Sequence, residues 1–359
     1  MFSTDPLESA EEAGLRYIRA GGPCIQRVRR GRGFHYIGPD GRVLRDPKHL
    51  SRIRSLAIPP AWRNVWICPS PRGHLQAVGR DARGRKQYRY HPLYRSTRDQ
   101  AKFSRMVAFG AVLSLIRNRV QRDLQLPGLP KEKVLAVVVR LLETSFMRIG
   151  NEEYAEENGS FGLTTLKNRH VRICGAKLLF RRRGKSGLEH SIELTDRRLA
   201  SIVRQCRDMP GYELFEYLDE DGEVRTVDAA DVNVWLRETT GQDFTAKDFR
   251  TWSGTVLAAR EFAAAGPAPN QSEAKRMTVS VIKNVARRLG NRPATCRKYY
   301  VHPAIIDAYA DGSIFPTMAA GEQQSNAYAG LGLSPEEYCV MVIVARHQEN
   351  LAGKLRKTA

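Results

Sequence analysis

The stretch KVLAVVVRLLETSF, residues 133–146, is apolar on nearly every side of the helix that it would form. It follows LPGLP, residues 126–130, a loop rich in proline and glycine. A helix without a polar face is buried, because its apolar surface is excluded from water. The stretch therefore predicts the central helix of a larger, mostly helical domain.

Helical patterns continue on both sides of this stretch. From Lys102 onward, apolar residues recur at helical spacing, at Met106, Phe109, Leu113 and Ile116. Further on, Thr245 is followed three residues later by Asp248, which resembles a capping box. This predicts a helix that continues to Phe262 and carries Arg250 in its first turns.

Two more helices are predicted nearer the end of the chain. The segment GPAPNQ, residues 266–271, interrupts the helical pattern before a helix at about residues 273–289. Ser334 and Pro335, followed by Glu336 and Glu337, indicate another helix start with proline in the first position.

The first hundred residues have the pattern of short strands joined by turns. FHYIG and RVL, at residues 34–38 and 42–44, flank Pro39-Asp40-Gly41, and VWIC and HLQAV, at 65–68 and 74–78, flank a second turn. A second β-rich stretch, residues 170–194, places Gly184-Lys185-Ser186-Gly187 between LLFRRR and LEHSIEL as the tip of a hairpin. We therefore expect an α+β fold: a small, mainly antiparallel N-terminal domain, residues 1–100, and a mostly helical domain, residues 101–359, that carries the hairpin.

The charge of the chain points to a polyanionic partner. Lys and Arg number 58 against 38 Asp and Glu among 359 residues, which gives a net charge of +20 and a pI near 10.0. Basic residues cluster in GRDARGRKQYRYH, residues 79–91. A solvated basic surface would explain the cluster alone, but the tyrosines and glutamine between the cations favour nucleic acid. The candidate DNA-binding residues here are Arg80, Arg83, Arg85, Lys86, Gln87, Tyr88, Arg89 and Tyr90.

The cysteines and the termini indicate a reduced, cytoplasmic protein. The six cysteines form no CxxC pair, so neither a disulfide framework nor a zinc site follows. The acidic N-terminus lacks the apolar core of a signal peptide, and no run of about 18 apolar residues predicts a membrane helix.

Five residues in separate segments could form one chemical site. CRKYYVHP, residues 296–303, offers a tyrosine nucleophile, and a phenol that attacks a phosphodiester needs cations around the phosphate and an acid for the leaving oxygen. Each residue alone also has an ordinary structural explanation: a turn for Lys185, a helix cap for Arg148 and Asn291, a surface ion pair for Arg250, and core packing for the tyrosines. RGKS, residues 183–186, is not a nucleotide-binding loop, since its first glycine would fall at Leu179 and its flanks are both strands.

Taken together, these segments resemble type IB DNA topoisomerases of the compact poxvirus and bacterial kind, over most of the chain. Arg148 follows the apolar helix, Lys185 lies on a hairpin, and Lys247 to Arg250 match the motif K-x-x-R. Residues 296–300 match S-K-x-x-Y with Cys for Ser and Arg for Lys, which makes Tyr300 the nucleophile. Many relatives have a histidine nine residues before the tyrosine, whereas this chain has Asn291.

The resemblance implies transesterification on double-stranded DNA. Tyr300 would form a 3′-phosphotyrosine, Arg148 and Arg250 would stabilise the non-bridging oxygens with help from Asn291, and Lys185 would protonate the leaving oxygen, with Arg148 a possible helper. Tyr154 would be a further DNA contact. It also implies a monomer that clamps DNA in the nucleoid, without ATP, metal or membrane.

Two other functions stay open at this point. A tyrosine recombinase shares the catalytic chemistry, but its second arginine usually lies in H-x-x-R, whereas this chain has Lys247 at the histidine position. A non-catalytic DNA-binding protein would account for the charge alone. It would not account for the joint occurrence of all five residues.

Overall fold

The computed structural model of the chain describes residues 5–31, 33–184, 189–323 and 332–358. The chain folds as two compact units, Met1–Arg105 and Met106–Ala359.

The first unit is built on a five-stranded antiparallel sheet with the strand order β2-β1-β3-β4-β5. Three helices accompany it, and each begins with a proline after a residue whose side chain accepts a hydrogen bond from the first turn. The core includes Ile25, Ile53 and Ile67. The elements are α1 (Pro6–Glu12), β1 (Ile25–Arg30), β2 (Gly33–Ile37), α2 (Pro47–Ser55), β3 (Arg63–Ile67), β4 (Leu75–Arg80), β5 (Lys86–Tyr90) and α3 (Pro92–Ser104).

The antiparallel sheet predicted for this unit is confirmed, with two differences in detail. The expected strand at 42–44 makes only one isolated bridge, between Ile37 and Val43, before helix α2 begins. The helical region expected from Lys102 onward begins already at Pro92, because His91 caps α3 and Pro92 fits its first position.

The second unit is mostly helical, as predicted. Its elements are α4 (Met106–Asp123), α5 (Lys131–Ser145), α6 (Glu152–Asn158), β6 (Val171–Cys174), β7 (Lys177–Arg183), β8 (Glu189–Thr195), α7 (Arg197–Arg207), β9 (Glu216–Leu218), β10 (Val224–Thr226), α8 (Ala229–Thr240), α9 (Ala246–Ala265), α10 (Gln271–Leu289), α11 (Pro293–Tyr299), α12 (Pro303–Ala310), α13 (Ile314–Gln323) and α14 (Pro335–Thr358).

Helix α5 is the central helix of this unit. Val134, Val137 and Leu141 are completely buried, and the helix packs against α4, α7, α8 and α9. It ends where Phe146 takes up a left-handed conformation, with φ 56°. This turn leads the chain directly to Arg148.

The predicted start of helix α9 is also confirmed. The carboxylate of Asp248 accepts hydrogen bonds from the backbone N–H of Thr245, at 2.8 Å, and from its hydroxyl, at 3.1 Å. These bonds satisfy donors that the first turn leaves open. Arg250 consequently lies in the first turns of a helix whose start is well defined.

Strands β6, β7 and β8 form an antiparallel sheet in that order. The two strands predicted to flank the hairpin are confirmed, while the tip, with Lys185, lies outside the described residues. Leu178 and Phe180 are completely buried, and alternation along β7 places Arg182 on the same face. Arg182 pairs across the sheet with His190 of β8.

Candidate active site

Helix α9 holds the backbone of Tyr300 at the end of α11. The N–H of Tyr300 donates to the carbonyl of Cys296 at 2.9 Å, and its own carbonyl accepts from the Thr255 hydroxyl at 3.3 Å. A Cβ placed on Gly254 would lie 2.5 Å from this carbonyl oxygen. The close approach of α9 to Tyr300 therefore requires glycine at position 254.

Arg250 lies against the ring of Tyr300. Its guanidinium carbon is 5.1 Å from the ring centroid, within the range of a cation–π contact. The side chain is only 5% exposed and donates to the carbonyl of Phe146 and, at 2.7 Å, to that of Leu289. Burial, followed by the charge of Arg148, lowers the pKa of Arg250, while Tyr300 acts in the opposite direction.

Arg148 and Asn291 are joined directly, since the guanidinium of Arg148 donates to Oδ1 of Asn291. The C-terminal turn of helix α10 positions Asn291. Gly290 ends that helix with φ 61°, and the N–H of Asn291 returns to the carbonyl of Ala286 at 2.8 Å, as in a Schellman motif. Nδ2 of Asn291 is buried and has no partner among the described residues, so its N–H groups are free to donate to a ligand.

Arg182 and His190, which were not predicted for the site, lie close to Arg148 and Arg250. Arg182 is 8% exposed, and one of its terminal nitrogens donates to the carbonyl of Phe161 at 2.6 Å. Burial, and then the charges of Arg148 and Arg250, lower its pKa to about 10. Burial and the same two arginines, together with Arg182, lower the pKa of His190.

Arg148, Arg182 and Arg250 form a group that we call the arginine cluster. Within the described ranges none of the three is paired with a carboxylate. The Nε atoms of Arg182 and Arg250 are buried without any partner there. Buried cations with unused donors are costly unless an anion joins them, so the geometry suits a phosphate next to Tyr300.

The structure thus brings together four of the five predicted catalytic residues, Tyr300, Arg250, Arg148 and Asn291. The fifth, Lys185, lies outside the described residues. Tyr154 lies in α6, but its side chain is likewise outside the described part of the structure.

In the first unit, strand β5 divides the predicted DNA-binding residues between two faces. Lys86, Tyr88 and Tyr90 are exposed on one face, and Arg80 of β4 pairs with Lys86 there. The rings of Tyr88 and Tyr90 are stacked, with centroids 6.0 Å apart. Arg83 is exposed in the turn between the strands.

The opposite face of β5 is already occupied by protein contacts. Arg85 forms an ion pair with Asp81 at 2.7 Å, and Gln87 donates to the same carboxylate at 3.0 Å. Arg89 donates to the carbonyl of Ala57 at 3.0 Å and lies over the ring of Trp62. These three residues stabilise the first unit, so the exposed face is the better candidate for binding.

The described ranges contain neither a cluster of metal ligands nor a membrane-spanning helix. There, no three His, Cys, Asp or Glu side chains come together in a way that could hold a metal ion. None of the helices in these ranges is long and apolar enough to cross a bilayer.

Fold and site together define a class of protein: a basic chain with a helical unit that holds a tyrosine against arginines suited to a phosphate. The family model for the catalytic core of eukaryotic DNA topoisomerase I matches residues 91–323. The family model for the N-terminal domain of bacterial DNA topoisomerase IB matches residues 33–81.

Viral proteins are among the relatives. The chain is 30% identical to DNA topoisomerase 1B of Acanthamoeba polyphaga mimivirus over 298 residues, 81% of this chain and 89% of the relative. It is 25% identical to DNA topoisomerase 1 of rabbit fibroma virus over 77% of this chain and 89% of the relative. It is 23% identical to DNA topoisomerase 1B of vaccinia virus, strain Copenhagen, over 65% and 72%. The chain belongs to the type IB DNA topoisomerase family, whose members are isomerases.

Proposed function

We propose that this protein relaxes supercoiled double-stranded DNA by cutting and rejoining one strand through Tyr300, without ATP or a metal ion. The observation that carries the proposal is the position of Arg250 over the ring of Tyr300, in a cluster of cations that has no carboxylate partner among the described residues. A phosphodiester would supply the missing negative charge.

Cleavage begins when the phenolic oxygen of Tyr300 attacks the phosphorus. The phenol gives up its proton to water, and a bond from phosphorus to the tyrosine oxygen forms as the bond to the 5′ oxygen breaks, which leaves a 3′-phosphotyrosine and a free 5′ hydroxyl. Lys185 donates the proton that the leaving oxygen needs. Rejoining is the reverse reaction, and because one phosphodiester replaces another of similar energy, no nucleotide is consumed.

The arginine cluster stabilises the negative charge that grows on the non-bridging oxygens. Arg250 and Arg148 donate to these oxygens, and Nδ2 of Asn291 adds a hydrogen bond. Preorganised donors of this kind are worth roughly 3 kcal/mol each in the transition state. The burial of Arg250 matters because water would otherwise weaken its interaction with the phosphate.

DNA binding is assigned to both units. The exposed face of β5, with Arg80, Lys86, Tyr88 and Tyr90, contacts the backbone and bases of the duplex that the second unit cuts. We further propose that the protein acts as a monomer that closes around DNA, in the cytoplasm and associated with the nucleoid.

The test is relaxation of a supercoiled plasmid in EDTA without ATP. The unaltered protein relaxes the plasmid, whereas Tyr300→Phe does not and forms no covalent adduct with a nicked duplex. Tyr300→Phe keeps its affinity for DNA, because it loses the nucleophilic oxygen and no positive charge.

The matched control is Tyr299→Phe, which retains activity. A covalent adduct with Tyr300→Phe would overturn the assignment of the nucleophile. Strand exchange between two duplexes without relaxation would indicate a recombinase, and binding without any cleavage a non-catalytic DNA-binding protein.

A further inference from the structure

His190 lies between two backbone segments of the second unit. A Cβ on Gly290 would lie 2.4 Å from Cε1 of His190, and a Cβ on Gly184 would lie 2.5 Å from its Cδ2. The ring therefore touches the residue that immediately precedes Asn291. Strand β8 places the ring there because His190 faces the same side as its cross-strand partner Arg182.

Among the described residues, the charged groups that act on the pKa of His190 are all cations. Arg182 reaches it from β7, Arg148 from the segment after α5, and Arg250 from α9. Burial and these three charges lower the pKa of His190 below its usual value of about 6.5, so the ring is neutral near pH 7. A neutral imidazole offers one N–H donor and one nitrogen acceptor.

Among the residues that the structure describes, the N–H of this ring has no acceptor. Neither ring nitrogen of His190 forms a hydrogen bond with any described residue. The arginines around it offer only donors, and the free group of Asn291 is also a donor. The ring is half-buried, and its nitrogens are not among the buried atoms without a partner, so its N–H is accessible to a ligand. Phosphate oxygens are acceptors that could take this hydrogen bond.

We propose that His190 donates a hydrogen bond to a non-bridging oxygen of the phosphate that the arginine cluster holds. This inference rests on the proposed function. Many relatives have a histidine nine residues before the tyrosine, where this chain has the amide of Asn291. In this chain, His190 supplies an imidazole instead, and it comes from strand β8 rather than from the segment before Tyr300. Its neutral ring adds a donor without adding a fourth positive charge to the cluster.

The test compares cleavage of three substrates in single turnovers: the ordinary phosphodiester and the two diastereomers in which sulfur replaces one non-bridging oxygen. Sulfur is a weaker hydrogen-bond acceptor than oxygen. In one diastereomer, sulfur replaces the oxygen that accepts the hydrogen bond from His190. The unaltered protein cleaves this diastereomer more slowly than the ordinary substrate.

His190→Ala slows cleavage of the ordinary substrate roughly 10- to 100-fold, as expected for the loss of a hydrogen bond to a charged group. In this variant, sulfur slows cleavage less than it does in the unaltered protein, and only for one of the two diastereomers. We call this slowing by sulfur the sulfur penalty. His190→Gln, which retains an N–H donor, restores part of the rate and part of that penalty. Ser191→Ala is the matched control, because the neighbouring side chain on β8 faces away from the site.

Each outcome has a distinct meaning. If His190 only fills the space between the two glycines, His190→Ala slows all three substrates equally and leaves both sulfur penalties unchanged, which overturns the proposal. Normal rates with both His190 variants overturn it as well. An unaltered protein that cleaves none of the substrates overturns the proposed function, and the role of His190 with it.

Discussion

At the scale of single residues, Arg250 is bound by carbonyl oxygens where a carboxylate would be expected. Its partners, Phe146 and Leu289, each contribute a neutral acceptor, and its Nε has none among the described residues. Burial of a cation without a counter-ion costs stability. In the proposed function, a phosphate of the bound DNA offsets this cost, and we therefore interpret Arg250 as a residue held ready for substrate.

The roles proposed for Arg250 and Lys185 can be separated by changing the leaving atom. Sulfur in place of the 5′ oxygen leaves as a thiolate, which scarcely needs a proton because thiols are far more acidic than alcohols. We expect this sulfur to restore cleavage by Lys185→Ala. It should not restore cleavage by Arg250→Ala, whose missing charge belongs to the non-bridging oxygens. Single-turnover cleavage rates on the two substrates measure both effects.

The unaltered protein on both substrates provides the reference for this comparison. Equal rescue of the two variants, or rescue of neither, would show that Lys185 is not the acid.

Local motifs predicted much of the site, and what they missed depended on contacts between distant segments. Tyr300, Arg250 and Arg148 lie in recognisable segments, so the sequence was enough to select them. Arg182 and His190 lie in no motif. Strand alternation from the buried Phe180 would have placed Arg182 on the inner face, but the pairing of β7 with β8 was needed to bring His190 beside it.

At the scale of elements, strand β5 shows how alternation separates binding from structural roles. Lys86, Tyr88 and Tyr90 face outward, while Arg85 and Arg89 are engaged by Asp81 and Ala57. The sequence analysis treated these residues as a single set of candidate DNA-binding residues. Only the register between β4 and β5 shows which cations are available for phosphate.

The salt dependence of DNA binding tests this division. Each phosphate contact releases counter-ions and adds about 0.9 to the slope of log K against log salt. Replacing Arg80 and Lys86 with Ala should therefore reduce the slope by about 2, measured with a short duplex on the Tyr300→Phe background. Arg85→Ala is the control and should leave the slope nearly unchanged. If Arg85→Ala reduced the slope more than the replacement of Arg80 and Lys86, DNA binding would belong to the face of β5 that carries Arg85.

Capping signals and apolar spacing each predicted some of the helices, whereas α1 and α2 were predicted by neither. The boxes at Thr245 and Ser334 located the starts of α9 and α14, because each involves neighbours in sequence. Helix α3 was missed between residues 92 and 101, where charged residues obscure the apolar period. His91 and Pro92 were its only clear local markers.

At the scale of the whole molecule, an ion-pair network connects helices that are far apart in sequence. Arg117 of α4 binds Glu337 of α14 through two hydrogen bonds, at 2.7 and 3.0 Å, and pairs with Glu143 of α5 at 2.7 Å. Trp252 of α9 donates to Glu337 at 3.1 Å. The network therefore fixes the last helix to the helices that lead to Arg148 and carry Arg250.

This network predicts an acid-sensitive contribution to stability. Burial raises the pKa of Glu337, but its bonds to Arg117 outweigh burial and lower the pKa below the usual value near 4.5. A carboxylate with a lowered pKa stabilises the fold above its unfolded-state pKa, and this stabilisation is lost as the pH falls through the folded-state pKa.

Glu337→Gln should consequently destabilise the protein at pH 7 and much less in acid. Because Arg117 keeps Glu143, we expect the low end of the cost of breaking a buried pair, about 3 kcal/mol, or roughly 6–12 °C in Tm. The difference in Tm between the two proteins should shrink below about pH 4, since protonated Glu337 resembles glutamine. Glu349→Gln, an exposed change on the same helix, is the control and should have little effect at any pH. A difference for Glu337→Gln that persists undiminished in acid would mean that packing, rather than the charge of Glu337, holds helix α14 in place.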